Sequence, residues 1–109
     1  MRNFRELIIW QKARGLVKEI YQITASFPAK ERYALCSQIQ RAVVSIPSNI
    51  AEGSSRRSEI DFARFLEIAQ GSAFEVETQL ILDNDIGYLQ NKSLTELLEE
   101  LHSLQRQIN

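Results

Sequence analysis

Residues 41–53 read RAVVSIPSNIAEG, and this segment decides the fold. Apolar side chains recur every three or four residues from Leu35 to Ile50, which is the spacing of one face of an α-helix. Pro47 lacks a backbone N–H, so we expect it to kink this helix, and the apolar spacing resumes beyond it. A helix of about twenty residues is about 30 Å long. The segment therefore predicts a helix that runs the height of a small domain.

Three further segments with helical apolar spacing accompany this helix. The predicted helices cover about residues 5–26, 29–54, 58–86 and 92–108. Phe27-Pro28 separates the first two, because the residue before a proline avoids helical geometry. Short connections make successive helices antiparallel. The sequence thus predicts one domain, residues 1–109, with an all-α, up-down-up-down four-helix bundle.

Several residues predict how the later helices begin, end and pack. Ser58 followed by Asp61 is typical of a helix N-terminus, and Gly87 of a left-handed C-terminal cap. The capping-box pattern fits residues 93–96, which read SLTE. Gly71 in the middle of the third helix costs about 1 kcal/mol of helix stability. We expect that glycine to permit the close approach of a neighbouring helix.

Polar side chains cross the apolar face of the second helix at helical spacing, and buried polar groups need partners. The third helix carries polar residues that could supply them, at Glu67, Gln70, Ser72, Glu75 and Gln79. The predicted structural network comprises Gln38, Arg41, Ser45, Asn49, Glu52, Glu75 and Gln79. Its leading hypothesis is an Arg41–Glu75 ion pair, because a planar guanidinium matches a carboxylate. The alternative places Arg41 with Arg56 and Arg57 in an anion site beside the start of the third helix.

The charge of the chain is lopsided although the formal net charge is −1. Up to Arg57, ten basic and four acidic residues give +6, and from Ser58 onward three basic and ten acidic residues give −7. Such asymmetry indicates either a basic face for an anionic partner or pairing of charges within the chain and between subunits.

The sequence contains no pattern typical of catalysis or metal binding. His102 and Cys36 are single, and the carboxylates lack the Glu-x-x-His pattern of di-iron bundles. We therefore expect no catalytic residue, metal ligand, cofactor or small-molecule substrate, and an enzyme is the weak alternative. Cys36 cannot form an internal disulfide, which favours the reducing cytoplasm. No apolar run has membrane-spanning length, so we expect no membrane partner.

The chain has more aromatic and branched surface than four core-facing stripes need. The excess residues are Ile9, Trp10, Tyr21, Tyr33, Phe65, Phe74 and Tyr88. Exposed patches of this kind usually mark interfaces. The other interpretation is that some of these side chains thicken the core.

Nearly the whole chain, most densely residues 27–79, also resembles a known family. The runs SIPSNIAEG at residues 45–53 and FLEIAQGS at residues 65–72 are similar to those of the bacterial four-helix bundle proteins encoded in 23S rRNA intervening sequences. That family resembles the accessory variability protein of diversity-generating retroelements. The resemblance implies an antiparallel bundle that assembles into a barrel-shaped homopentamer. It also implies, for the basic accessory relatives, binding of nucleic acid together with a reverse transcriptase.

We therefore expect a non-enzymatic, homo-oligomeric scaffold that binds RNA or a ribonucleoprotein through a basic face of the first two helices. The residues expected to contact nucleic acid are Lys12, Arg14, Lys18, Arg56 and Arg57. The slightly acidic balance departs from the basic relatives, but a ring of five copies would concentrate positive charge. The alternative is a protein-interaction adaptor that binds no nucleic acid.

Overall fold

Four α-helices form a bundle in the computed structural model, which describes residues 2–109. The helices are α1 (Ile8–Thr24), α2 (Leu35–Ser54), α3 (Glu59–Ile86) and α4 (Asn91–Ile108), and two 3-10 turns cover Phe4–Glu6 and Ala29–Glu31. Helix α2 packs against α1 and α3, while α4 packs against α3 and α1. The all-α four-helix bundle expected from the sequence is confirmed.

The apolar face of α2 lies at the centre of the core. Ile39, Val43, Ile46 and Ile50 are each at most 1% exposed. Their spacing of four, three and four residues is the helical repeat. Burying each of these side chains stabilises the fold by about 1.5–3 kcal/mol. The buried residues of α3 in the same core are Ala69, Ala73, Val76 and Leu80, and the two alanines leave room for a neighbouring helix.

Helix α2 continues without interruption through Pro47. A proline inside a helix removes one backbone hydrogen bond and crowds the preceding turn. The kink near this residue stays a prediction.

The first two helices begin later than the sequence predicts. Helix α1 begins at Ile8 rather than near residue 5, because Leu7 is extended and separates it from the 3-10 turn. Helix α2 begins at Leu35 rather than near residue 29. Pro28 is extended, with ψ 144°, and Ala34 is not helical, with φ −120° and ψ −102°. The segment between α1 and α2 is therefore a structured linker, not the start of a helix.

The caps of α3 are as predicted, whereas that of α4 is not. The Ser58 hydroxyl accepts a hydrogen bond from the Asp61 amide at 3.0 Å, and Gly87 ends the helix with φ 99°. Both are standard ways to satisfy the free groups of a helix end. The capping box at residues 93–96 is wrong, because the backbone is already helical from Asn91.

The close approach of two helices occurs at a glycine other than the predicted one. Gly71 is exposed, and a Cβ atom added there would meet nothing within 4 Å. Gly53 is buried at the end of α2, and a Cβ there would lie 2.6 Å from the Cβ of Phe65 and 3.1 Å from Cδ1 of Phe62. The prediction for Gly71 is therefore wrong, and Gly53 allows α2 to pack against the start of α3.

Candidate functional site

A polar seam of hydrogen-bonded side chains joins α2 and α3. The hydroxyls of Ser45 and Ser72 are hydrogen-bonded at 2.8 Å. The Asn49 amide donates to the Ser45 carbonyl at 2.8 Å and to the Ser45 hydroxyl at 2.9 Å. These bonds satisfy polar groups that would otherwise interrupt the apolar contact between the helices. The polar stripes of the two helices thus meet at these three residues.

Above this seam lies an open groove of about 520 Å³, named here the α2–α3 groove. It is lined by Gln38, Arg41, Ala42, Ser45, Ser72, Glu75 and Gln79. Five of the seven residues predicted for the structural network therefore line one groove, and Asn49 supports it through Ser45. Glu52 lies outside it, is exposed and has a carboxylate oxygen 3.8 Å from Arg56.

The predicted Arg41–Glu75 ion pair does not form. Within residues 2–109, the ion pairs closer than 4.0 Å are Arg2–Glu59, Glu52–Arg56, Asp61–Arg64 and Glu77–His102. Arg41 and Glu75 are both exposed and lie on opposite walls of the α2–α3 groove. Water solvates each charge there, so little energy favours a direct pair.

Two glutamines of α3 behave differently from each other. The Gln70 amide donates to the Gln105 carbonyl of α4 at 2.9 Å, so this residue turns away from α2. Gln79 lines the α2–α3 groove, and its buried Oε1 atom has no hydrogen-bond partner within residues 2–109. The Oε1 atom of Gln70 is likewise buried and unpaired within residues 2–109, so the two residues differ in their neighbours and each keeps an amide oxygen without a donor.

The five residues predicted to contact nucleic acid are all exposed, but their surroundings differ. Lys12 donates to the Ser103 hydroxyl at 3.1 Å and lies in a cavity with Glu19, Glu99 and Glu100. Acidic neighbours of this kind counteract attraction to a phosphate. Lys12 thus lies among carboxylates between α1 and α4. The other four predicted residues do not line this cavity: Arg14, Lys18, Arg56 and Arg57.

Arginines and aromatic rings alternate at the end of the bundle where α2 turns into α3. The N-terminal segment is held there by a hydrogen bond from the Arg2 amide to the Ser54 carbonyl at 3.2 Å. Each guanidinium lies 4.0–5.7 Å from a ring centre, within the range of a cation–π contact. The pairs are Arg2–Phe62, Arg5–Phe4, Arg14–Trp10 and Arg56–Phe65. We call these four pairs, together with the exposed Arg57 that follows Arg56 in the chain, the arginine–aromatic end.

Carboxylates crowd together between α1 and α4. A hydrogen bond with Glu100 and burial raise the pKa of Glu19 to about 7, and the charge of Glu96 adds to this. The sequence analysis missed this cluster. The sequence does indicate this cluster, because three glutamates lie within about one helical turn on α4: Glu96, Glu99 and Glu100.

A second missed feature is a buried carboxylate at the other end of the bundle. Asp83 is 0% exposed, and neither of its carboxylate oxygens has a hydrogen-bond partner within residues 2–109. Burial and then the charge of Glu31 raise the pKa of Asp83 to about 6. Burial, followed by the charges of Asp83 and Glu31, also raises the pKa of the Cys36 thiol. The signal was the position of Asp83, three residues beyond the buried Leu80 in the apolar repeat of α3.

The part of the chain that the structure describes has no group of three or more His, Cys, Asp or Glu side chains arranged to hold a metal ion. His102 lies with Nε2 3.1 Å from a carboxylate oxygen of Glu77. No helix between residues 2 and 109 is both long enough and apolar enough to span a membrane.

These features define a small helical bundle with a polar groove and a set of surface arginines. A family model described as 23S rRNA-intervening sequence protein matches residues 5–109, so the chain belongs to that family. The fold is similar to the crystal structure of a protein of unknown function from the S23 ribosomal protein family of Bacteroides thetaiotaomicron. That likeness has a TM-score of 0.83 at 22% identity and covers 93% of this chain and 94% of the other. No curated protein matches the chain.

Proposed function

We propose that this protein is a non-enzymatic, homo-oligomeric scaffold, with five subunits in a ring, that binds RNA or a ribonucleoprotein in the cytoplasm. The observation that carries the proposal is the apolar outer surface of α3. The pentamer and a reverse transcriptase-type partner are extended to this chain from the family resemblance.

Helix α3 carries large apolar side chains on its outward surface as well as on its core face. The outward set, named the outer stripe of α3, comprises Ile60, Ile68, Phe74, Ile81, Leu82 and Ile86, which are 40–69% exposed. Ile60 and Ile68, and Phe74 with Ile81 or Leu82, are seven or eight residues apart, which is about two helical turns. A helix with large apolar side chains outside its core face needs a second partner to bury them. A second copy of the chain would cover this stripe.

The excess apolar residues noted in the sequence divide between surface and core. Tyr33 and Phe74 are 84% and 61% exposed, and Tyr21 is also exposed. Ile9 and Trp10 are partly buried against the core. Ile9 and Trp10 thus thicken the core, whereas Phe74 on the outer stripe is exposed and supports the proposed interface.

The oligomer is tested by light scattering on Phe74→Ser with Ile81→Ser. The native chain should have about five times its monomer mass of 12.6 kDa, and the variant should fall to a single copy. Tyr33→Ser is the matched control, because it removes an exposed aromatic ring outside α3. A native chain that is monomeric at micromolar concentration would refute the oligomer.

The arginine–aromatic end supports binding to RNA. Ion pairs with acidic residues occupy Arg2 and Arg56, whereas no such pair within 4.0 Å occupies Arg5, Arg14 or Arg57 in the described part of the chain. Guanidinium groups bind phosphate in a two-pronged manner, and aromatic rings beside them accept stacked bases. In a ring, five copies of this end would lie on a shared face.

RNA binding is tested with a structured 23S rRNA hairpin at about 50 mM salt, where release of counterions favours association. Arg14→Gln with Arg57→Gln should weaken binding at least about tenfold and make it less sensitive to salt. Arg32→Gln with Arg106→Gln is the control, with the same change of charge outside the arginine–aromatic end. Absence of binding by the native chain would remove this part of the proposal.

The second candidate is an adaptor that binds proteins and no nucleic acid. The ion pairs of Arg2 with Glu59 and of Arg56 with Glu52 favour it, because they use positive charge within the chain. Under this candidate, Arg56→Glu with Arg57→Glu changes assembly or partner binding, while RNA binding by the native chain stays at background.

A further inference from the structure

The two walls of the α2–α3 groove carry opposite charges that do not neutralise each other. Arg41 lies on the α2 wall and Glu75 on the α3 wall. Within residues 2–109, neither side chain has an ion-pair partner within 4.0 Å. Both are exposed, so both can turn toward a molecule in the groove.

The floor of the groove is neutral, and one of its acceptors is unused. Ser45 and Ser72 are hydrogen-bonded to each other at 2.8 Å, and Ala42 beside them is buried. The Oε1 atom of Gln79 is buried and has no donor in the described part of the chain. An amide oxygen in this position favours a ligand that brings N–H groups.

We propose that the α2–α3 groove binds a free α-amino acid. Its carboxylate contacts the Arg41 guanidinium, and its ammonium group donates to Glu75 and, once the Gln79 amide turns into the groove, to the Oε1 atom of Gln79. Charge-assisted hydrogen bonds of this kind are stronger than neutral ones. The proposal is independent of the oligomer and of RNA binding.

Other ligand classes fit the charges less well. A simple anion would meet Glu75, and a simple cation would meet Arg41. An RNA phosphate is also an anion and would meet the Glu75 carboxylate in the same way. A peptide has its two charged ends far apart, whereas a free amino acid carries both charged groups on one carbon atom. Both charges of a free amino acid can therefore lie within one groove, between Arg41 and Glu75.

The dimensions and the far end of the groove indicate which amino acids fit. From Gln38 to Ser45 the wall of α2 is about 10 Å long, at 1.5 Å per residue. A volume of about 520 Å³ lies within the range of small-molecule sites. The primary amide of Gln38 at one end can both donate and accept hydrogen bonds. We therefore assign an uncharged polar side chain to the ligand.

The experiment is isothermal titration calorimetry with L-asparagine as the probe. Asparagine amide lacks the carboxylate, and N-acetylasparagine lacks the ammonium group, so these two compounds test each half of the contact. We expect L-asparagine to bind with a Kd of about 1 mM or lower. Each derivative should bind at least about tenfold more weakly. No heat from L-asparagine at about 10 mM, or equal binding of the three compounds, would overturn the proposal.

Variants then locate the site. Arg41→Gln and Glu75→Gln should each weaken L-asparagine binding at least about tenfold, and Arg41→Gln should abolish the preference over the amide. The controls are Arg106→Gln and Glu99→Gln, which make the same chemical changes on α4. Because Arg41 and Glu75 are exposed, circular dichroism melting should be unchanged. Binding that persists in both groove variants would refute the assignment. A monomeric native chain that still binds L-asparagine would refute only the oligomer.

Discussion

The two ends of the α2–α3 pair treat their charged groups in opposite ways. At the turn between the helices, Arg2 pairs with Glu59 and Arg56 with Glu52, all near the surface. At the far end, Asp83 is buried without a hydrogen-bond partner. A surface ion pair changes stability little, whereas a buried carboxylate loses its hydration. The same helix pair therefore carries charges with little effect on stability at one end and a destabilising buried carboxylate at the other.

The surroundings of Asp83 explain why its ionised form is destabilised. Glu31 lies nearby and accepts a hydrogen bond from the Tyr88 hydroxyl at 2.9 Å. That hydrogen bond is the first cause that raises the pKa of Tyr88, followed by burial. The Phe27 and Tyr88 rings pack together with centres 5.5 Å apart. Glu31 is therefore held in place, and its charge opposes ionisation of Asp83.

The largest expected effect is at Gly53, where the turn end depends on close packing. In Gly53→Ala the new Cβ would lie 2.6 Å from the Cβ of Phe65, which is attached to the backbone and cannot rotate away. We expect a loss of about 3 kcal/mol in the free energy of unfolding, measured by urea denaturation. Gly71→Ala is the matched control, because its added methyl meets nothing within 4 Å. The control should gain up to about 1 kcal/mol. Equal effects in the two variants would contradict the packing at Gly53.

The next effect concerns Asp83 and depends on pH. Its pKa is about 6 in the folded protein and 3.8 as the ordinary value, so the folded state holds the proton more tightly. Stability from this group is therefore present below about pH 4 and lost as the pH rises to about 6. At pH 8 the free energy of unfolding of Asp83→Asn should be about 2 kcal/mol higher than that of the native chain.

The same substitution should have little effect at about pH 3, below both pKa values, where Asp83 is protonated in the folded and the unfolded states. The pKa of Glu19 is also raised, to about 7, by Glu100 and by burial, so the native chain should lose further stability up to that pH. That second loss should persist in Asp83→Asn and disappear in Glu19→Gln. A stability difference between the native chain and Asp83→Asn that does not vary with pH would exclude a titrating Asp83.

The smallest effect is at the surface pair of the turn end. Arg56→Gln removes the contact with Glu52 at 3.8 Å and the position over the Phe65 ring at 4.9 Å. Because both ionic partners are exposed to water, we expect a loss of about 0.5 kcal/mol or less, and a weak dependence on salt. Thermal melts at low and high salt measure both. A loss of stability comparable to that of Gly53→Ala would mean that surface charges at this end contribute strongly to stability.

The helices and most of the polar seam were predictable from the sequence. Apolar spacing located all four helices, because a core-facing stripe is a local pattern. The polar stripe through Ser45 and Asn49 indicated that α2 and α3 face each other, and the Ser45–Ser72 bond agrees with this. The start of α2 was misplaced by six residues, since the linker is held by contacts of Glu31 with the distant Tyr88.

The side-chain partners within the site were less predictable. Arg41 and Glu75 share the α2–α3 groove as their helical positions indicate, yet long exposed side chains have many rotamers and need not pair. Lys12 was assigned to a basic face, but the rotation of α1 places it beside carboxylates of α4. Such placements depend on helices that are far apart in the chain.

The sequence by itself determined that this chain forms four amphipathic helices and that polar residues line the contact between the middle two. Hydrophobic spacing repeats within a few residues, so it needs no knowledge of distant partners. Only the packing of the helices places Gly53, and not Gly71, where α2 and α3 approach closely. It also buries Asp83 without a hydrogen-bond partner within residues 2–109. Those outcomes depend on the offset and rotation of one helix against another, which are set when the separate apolar faces pack together.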